Sequence, residues 1–350
     1  MAKQISINYS LNTNNKWIYC NYPEQLKTDA LADKSGYCLN RVEDVKDDGQ
    51  IFYSYNAMEL KNNFRFGVTV YNPNHSTVTL TRTNYGHSDS KNDGGWDAIP
   101  KVSWERFFKS TSKEFTIPAG KAIWICEEEI PAVCIFSGNL RFTTSAPVTI
   151  SIFAFESKWD IPDDTKIYPY RFQDDAGNTV GKQYSGYGNG YFLTASEITI
   201  KLSDILHNDG IYFATNNQQN RMFTVNNGKT PDEIIPIYIA GTNYEVNVRN
   251  DKNGYFQNIA NWCAQYFIPI KLINDIGGTH KVKCSIVSTS NPKKFPIVNC
   301  GGTISGTPLT AKGQAHVFKT VSVTDDLVFN YQFIFGTNSS GDVQHMFQLV

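Results

Sequence analysis

The chain has 350 residues, with 32 Lys and Arg against 33 Asp and Glu, so no bulk charge draws it to nucleic acid or an anionic membrane. Hydrophobic residues at 41% and charged residues at 19% exclude a disordered chain and fit a folded one, long enough for one large or two ordinary domains. Aromatic content, 19 Tyr and 22 Phe, favours strands over helices.

Met1-Ala2-Lys3-Gln4 runs directly into Ile5-Ser6-Ile7-Asn8-Tyr9, with no apolar signal core and no run long enough to span a bilayer. Two origins fit this start: synthesis in the cytoplasm with no signal peptide, or a removed signal replaced by Met. Alternation at Ile5, Ile7, Tyr9 and Leu11 predicts a strand over 3–11, which either completes a sheet of its own chain or is donated to the edge of a neighbouring copy.

The seven cysteines contain no C-x-x-C pair, which excludes zinc-ribbon and thioredoxin readings, and an odd count argues against a complete intramolecular disulfide set. Buried thiols account for those in apolar strand patterns. Cys20 and Cys38, near polar, turn-like sequence, are the candidates for an intermolecular cross-link.

Pro23 to Asp33 has the spacing of a short helix, and Ile51 to Tyr55 that of a strand. Phe64, Phe66, Val68 and Val70 alternate, Asn72-Pro73-Asn74-His75 supplies a turn, and Val78 and Leu80 resume the alternation, so Asn63–Gly86 reads as a hairpin. Ala264–Thr289 echoes it: Tyr266, Ile268, Ile270 and Leu272, then Asn274, then Val282, Cys284 and Ile286. The echo suggests two related halves.

The loop Gly86–Gly95 has a superficial calcium-loop pattern at Asp89, Asp93 and Gly94, but Lys91 stands at a ligand position and Pro100 where the bidentate acid belongs. Ile99 to Ser110 is the best helix candidate. Strands follow near 115–117, 122–125, 133–136, 140–143 and 148–155. From Glu156 to Gly190 the sequence turns acidic and then Tyr/Gly-rich, and Gly186-x-Gly188-x-Gly190 reads as an aromatic-glycine turn rather than a dinucleotide loop. The boundary is set near residue 165, giving domains 1–165 and 166–350. Strands in the second half are predicted near 198–202, 211–214, 234–239, 244–248, 317–323, 327–335 and 343–350. The predicted fold class is all-β: two tandem antiparallel β-sandwich, jelly-roll-like domains with one or two short helices.

No catalytic, metal or cofactor site can be named. None of the six His lies in a nucleophile elbow, beside a catalytic-type Cys or in a zinc motif. Glu127-Glu128-Glu129 and Asp163-Asp164 offer paired acids of the kind glycoside hydrolysis uses, but acid clusters on loops are ordinarily solvated. Of the tryptophans near loops and strand ends, Trp96, Trp104 and Trp159 are candidates for stacking on carbohydrate, the alternative being that they fill the core.

Asn21-Tyr22-Pro23-Glu24, Gln50 to Asn56 and Phe66 to Asn72, continued by Ile117 to Gly120 and Tyr266 to Asn274, form an ordered series. It resembles a β-rich region in proteins of spore-forming Firmicutes, often found beside a stalk domain named after the copper amine oxidase N-terminus. The resemblance implies a cell-surface or spore-surface context and no amine oxidase activity. Asn243-Tyr244-Glu245 imitates part of that enzyme's cofactor motif, but Ala240 stands where Thr is expected, and the copper-binding His pair and the stalk domain are both missing.

The expectation is a non-enzymatic structural protein, with no cofactor, no nucleic-acid partner and no membrane insertion, that self-assembles with its own copies into an array, filament or crystal. Two alternatives stand beside it: a surface protein that binds cell-wall glycan, and a viral capsid protein with two jelly rolls in one chain.

Overall fold

The computed structural model describes residues 1–12, 14–21, 26, 37–156, 172–173, 179–180, 185–215, 224–226, 255–257, 263–291, 293–337, 339 and 341–350. The boundary near 165, the strands near 234–239 and 244–248, and the helix over 23–33 (Leu26 apart) lie outside them. The described chain is all-β, two sandwiches with two helices, Ile99–Lys109 and Leu202–His207. None of its helices is long and apolar enough to cross a membrane.

The first sandwich is organised around two long strands, Tyr37–Ala57 and Cys134–Glu156, antiparallel from Tyr37 opposite Ala154 to Ala57 opposite Cys134. Three strands predicted near 133–136, 140–143 and 148–155 are therefore one. Register shifts between Cys38 and Asp47, with Asp44 and Asp47 at φ 54° and 62°, bend the ribbon so that it serves both walls. Beyond the bend, 149–156 pairs with Phe64–Tyr71, which pairs in turn with Ala122–Ile130. Before it, 136–144 pairs with Val78–Asp89, which pairs with Lys113–Ile117. Four strands per wall in this order make a jelly roll.

The second sandwich has separate walls. One holds Lys3–Gln4, Ile211–Thr215, Val343–Leu349, His280–Ser288 and Ala315–Val323 in that order. The other holds Tyr9–Asn12, Phe192–Ala195, Gln265–Ile273, Leu327–Phe335, Pro296–Cys300 and Thr303–Gly306, with Ile198–Lys201 also beside Gln265–Ile273.

Neither presumed hairpin is one. Phe64–Tyr71 makes no ladder with Val78–Asp89, and Gln265–Ile273 makes none with His280–Ser288; each pair sits in opposite walls, joined by an arch. Alternating apolar residues mark a strand with one buried face but do not say which strand lies beside it.

The echo between the halves is nonetheless physical. With Pro296–Cys300 and Thr303–Gly306 set aside, in each half the strand before the arch pairs with the fourth of five successive strands, and the strand after it pairs with the third and fifth. Asn72 donates from Nδ2 to the carbonyls of Ser76 at 2.8 Å and Ile117 at 2.9 Å. Asn274 likewise donates to Gly278 at 2.7 Å and to Thr324 at 2.6 Å. Both side chains thus clasp the carbonyl four residues on and a carbonyl at the next arch. Asn72 is fully buried and Asn274 half-buried. Replacing Asn72 with Ala should cost about 2–3 kcal/mol and Asn274→Ala about 1 kcal/mol, read by chemical denaturation, because orphaned buried carbonyls cost most.

The halves interlock by exchanging strands. Lys3–Gln4 and Tyr9–Asn12, expected as one strand of the first domain, are two short strands that complete the two walls of the second sandwich. In return Ser185–Asn189 lies antiparallel to Lys16–Cys20 and extends the first sandwich, so the Gly-rich run is a strand and not a turn. Lys16–Cys20 lies parallel to the Gly49–Tyr53 part of the long ribbon. Ile18, Ile51 and Tyr53 face the first core, whereas Trp17, Tyr19 and Phe52 face the second. Burial on both faces explains the unbroken run Trp17-Ile18-Tyr19-Cys20.

Candidate functional sites

The helix Ile99–Lys109 carries the first test of the sugar-binding residues. Trp104 is fully buried, edge-on to Phe107 at 4.8 Å and beside Phe108 at 5.5 Å. It fills the seam between the sandwiches and presents no face to a sugar. Trp96, on the loop leading into the helix, is 50% exposed, next to Asp97, which pairs with Lys293. Trp159 lies outside the described residues. Trp104→Ala should cost about 3–5 kcal/mol, and Trp96→Ala should change stability by less than about 0.5 kcal/mol, as thermal or urea unfolding will read.

The proposed cross-link at Cys20 is overturned. Its side chain points into the first core, fully buried, with Sγ 2.7 Å from the Tyr55 hydroxyl. Alternation places position 20 on the same face as Ile18, out of reach of another copy. Cys38 lies on Tyr37–Ala57, and its side chain is outside the described residues. Cys126, Cys134, Cys263, Cys284 and Cys300 are also buried and free.

In the loop with the calcium-like pattern, the carboxylates are taken up locally. Asp89 Oδ1 accepts the amides of Lys91 at 3.0 Å and Asn92 at 2.9 Å. Asp93 takes both terminal nitrogens of Arg106, at 2.8 and 2.7 Å, fastening the loop to the helix. Hydrogen bonds from Arg106 and the Asp89 amide outweigh partial burial and hold the Asp93 carboxyl below its usual range. Among the described residues no group of three His, Cys, Asp or Glu is placed to hold a metal ion. In the triple-Glu run, Glu127 pairs with Arg65 and Glu129 accepts from Asn63 at 3.3 Å.

Glu128 belongs to a polar cluster that the sequence reading missed. Opposite Phe66, it shares the inward phase of Cys126 and Ile130, so an acid occupies an apolar position of the strand. Tyr85 donates to its Oε1 at 2.6 Å. The Tyr53 hydroxyl lies 3.4 Å from that of Tyr85 and 3.1 Å from His87 Nδ1, and Arg82 stacks on Tyr85 at 4.8 Å. Burial pushes both phenols well up, lifts the Cys126 thiol to about 12 and lowers His87. These shifts keep the phenols, thiol and imidazole neutral, the opposite of what activates a phenol or thiol as a nucleophile. The one signal for this cluster was the phase of Glu128 in its strand.

The second sandwich has a buried chain of its own. The Tyr9 hydroxyl lies 3.0 Å from Thr215 Oγ1, which lies 3.1 Å from His345 Nε2, and His345 Nδ1 lies 2.7 Å from the Tyr331 hydroxyl. His345 is fully buried, stacked on Phe213 at 4.5 Å, and burial lowers it to about 3. The chain ties the first strands of the molecule to its last.

Between the sandwiches lies a polar strip. Gln265 donates to Gln50 at 2.5 Å, and Asp48 takes Arg141 through Nε at 3.1 Å and Nη2 at 2.8 Å, as well as the Tyr191 hydroxyl at 3.2 Å. With the aromatic seam of Trp17, Phe52, Trp104 and Phe107, it joins the sandwiches as one packed unit.

No protein-family model and no curated protein matches the chain. Among solved structures, the CUB1-EGF-CUB2 domains of rat MASP-1 align over 99% of this chain and 100% of theirs, at 8% identity and a TM-score of 0.19. The CBM22-1-CBM22-2 tandem domain of Paenibacillus barcinonensis Xyn10C aligns over 85% of this chain and 82% of its own, at 8% identity and a TM-score of 0.15. Likeness at that level carries no weight for fold or function, and the fold rests on the strand pairing.

Proposed function

We propose that this chain is a non-enzymatic structural subunit that assembles with copies of itself into an ordered array, filament or crystal. The observation that supports it is the interlocking of two β-sandwiches by reciprocal strand exchange. The strands Lys3–Gln4 and Tyr9–Asn12 belong to the second sandwich and Ser185–Asn189 to the first, with aromatic residues packed at the seam. Such a block resists shear between its halves while keeping outer strands such as Ala315–Val323 and Lys113–Ile117 free at the sheet edges. Polar networks in both cores, with their phenols and imidazoles held neutral, suit rigidity better than turnover. The sequence resemblance supports deposition on a bacterial cell or spore surface. Negative-stain microscopy of the purified protein, with light scattering across a concentration series, tests this: ordered assemblies are expected, and a monomer at every concentration would reject it.

The jelly-roll strand order of the first sandwich favours a second reading, the capsid subunit with two jelly rolls in one chain. By analogy of fold alone, jelly rolls laid side by side are a shell-building block. Closed shells in the micrographs favour capsid; sheets or filaments favour the surface array. Glycan binding keeps Trp96 as its one described exposed platform, and a glycan array in which Trp96→Ala changes nothing would remove it.

A further inference from the structure

We propose that the 1–12 arm is passed between copies, each subunit's arm completing the second sandwich of its neighbour. The proposal rests on the self-assembly reading and names the contact through which copies join.

Among the described residues the arm's strands pair only with the second sandwich: Lys3–Gln4 with Ile211 and Tyr212, and Tyr9–Asn12 with Phe192–Ala195. The chain then enters the first jelly roll at Lys16–Cys20. Between them, Asn12 and Asn14 are exposed, whereas Asn15 is buried and its carbonyl accepts the Gly190 amide at 2.7 Å. Exposed residues such as Asn12 and Asn14, between an anchored body and a separately paired strand, are where the hinge of a strand exchange would lie.

The arm's tip is held along one side. Two residues pair there, the Lys3 and Ile5 amides donate to the Gly210 and Tyr212 carbonyls at 2.9 and 2.8 Å, Ile5 and Ile7 pack on the second core, and the ion pairs of Lys3 with Asp204 and of the Met1 amine with Asp209 are exposed. Its base is keyed. The Tyr9 ring stands edge-on to Tyr266 at 5.3 Å, and its hydroxyl meets Thr215 at 3.0 Å inside the buried His345 chain. An incoming arm is therefore accepted in one register, since a slip by one residue would turn Tyr9 to solvent. Without an arm, Phe192–Ala195 and Ile211–Thr215 would be bare edges in both walls, and bare edges template strand addition. The acceptor is the same in every copy, so exchange keeps all these contacts and links one subunit to the next.

Ser10 and Thr194 face each other across the antiparallel pair and are both exposed. Full-length Ser10→Cys and Thr194→Cys chains, each shown to be folded by thermal unfolding, are mixed, allowed to assemble and oxidised with diamide. Exchange predicts a covalent heterodimer on a non-reducing gel, well above the background from either variant alone. The double variant Ser10→Cys/Thr194→Cys provides a second reading, since exchange predicts disulfide-linked multimers and a closed arm predicts bridged monomers. Ordered particles with only bridged monomers would overturn the exchange and leave self-assembly standing. Heterodimers without larger particles would support exchange and reject the larger assembly, and neither particles nor heterodimers would reject both.

Discussion

A methyl group at position 86 is expected to unseat the helix Ile99–Lys109 and weaken both sandwiches at once. Gly86 lies on the wall that the helix covers, opposite Asn139. A Cβ there would overlap the Ser103 carbonyl and the Phe107 amide, both main-chain groups of a regular helix with no rotamer to yield. The helix cannot retreat freely, because Trp104 and Phe107 are fixed in the seam with the second sandwich. Gly86→Ala should therefore cost about 3 kcal/mol or more, at the upper end for overpacking. Chemical denaturation gives the loss. Near-ultraviolet circular dichroism should show a change in the Trp environment, which a purely local adjustment would leave intact.

Acid is expected to loosen the second sandwich through His345. Its ordinary value of 6.5 falls to about 3 in the fold because the ring is enclosed by Phe213, Phe333, Tyr331 and Thr215. The fold holds the neutral imidazole, so between those values the unfolded chain binds the extra proton and stability falls as pH is lowered. At 1.36 kcal/mol per pKa unit the full loss by pH 3 is roughly 5 kcal/mol, a large part of the net stability of an ordinary domain. Burial lowers His87 too, which adds a loss of the same sign in the first sandwich. Urea unfolding at pH 7, 5 and 4 reads the slope, and His345→Gln should flatten it. An unchanged slope in that variant would assign the acid sensitivity elsewhere.

Much of the strand content was legible because alternation reports a half-buried face directly. Phe64–Tyr71, Val78–Asp89, Gln265–Ile273 and Leu327–Phe335 all carry that period, and Ile99–Lys109 lies where its apolar spacing put it. Partners were not legible. Phe64–Tyr71 and Val78–Asp89 are close in sequence but take the same long strand, Cys134–Glu156, at different points along its bend. Asn72 and Asn274 were visible as a repeated turn residue, while their shared clasp required the next arch to be in place.

Among the site residues, Trp104 and Cys20 were misplaced for one reason. A polar or loop-like neighbourhood in sequence suggested exposure, but the wall bearing Lys16–Cys20 and the helix at the seam are covered from both sides. The polar cluster around Glu128 assembles from three strands, and only the phase of one acid hinted at it.

Composition and periodicity by themselves determined that the chain is all-β, that its two halves share a motif, and that no familiar catalytic or metal signature is present. Only the tertiary structure decided that the halves trade strands, that Thr215 links Tyr9 to His345 across the length of the chain, and that the arm serves the distant sandwich. Pattern is a property of a strand and the solvent around it, whereas pairing is a property of two strands that the sequence leaves far apart.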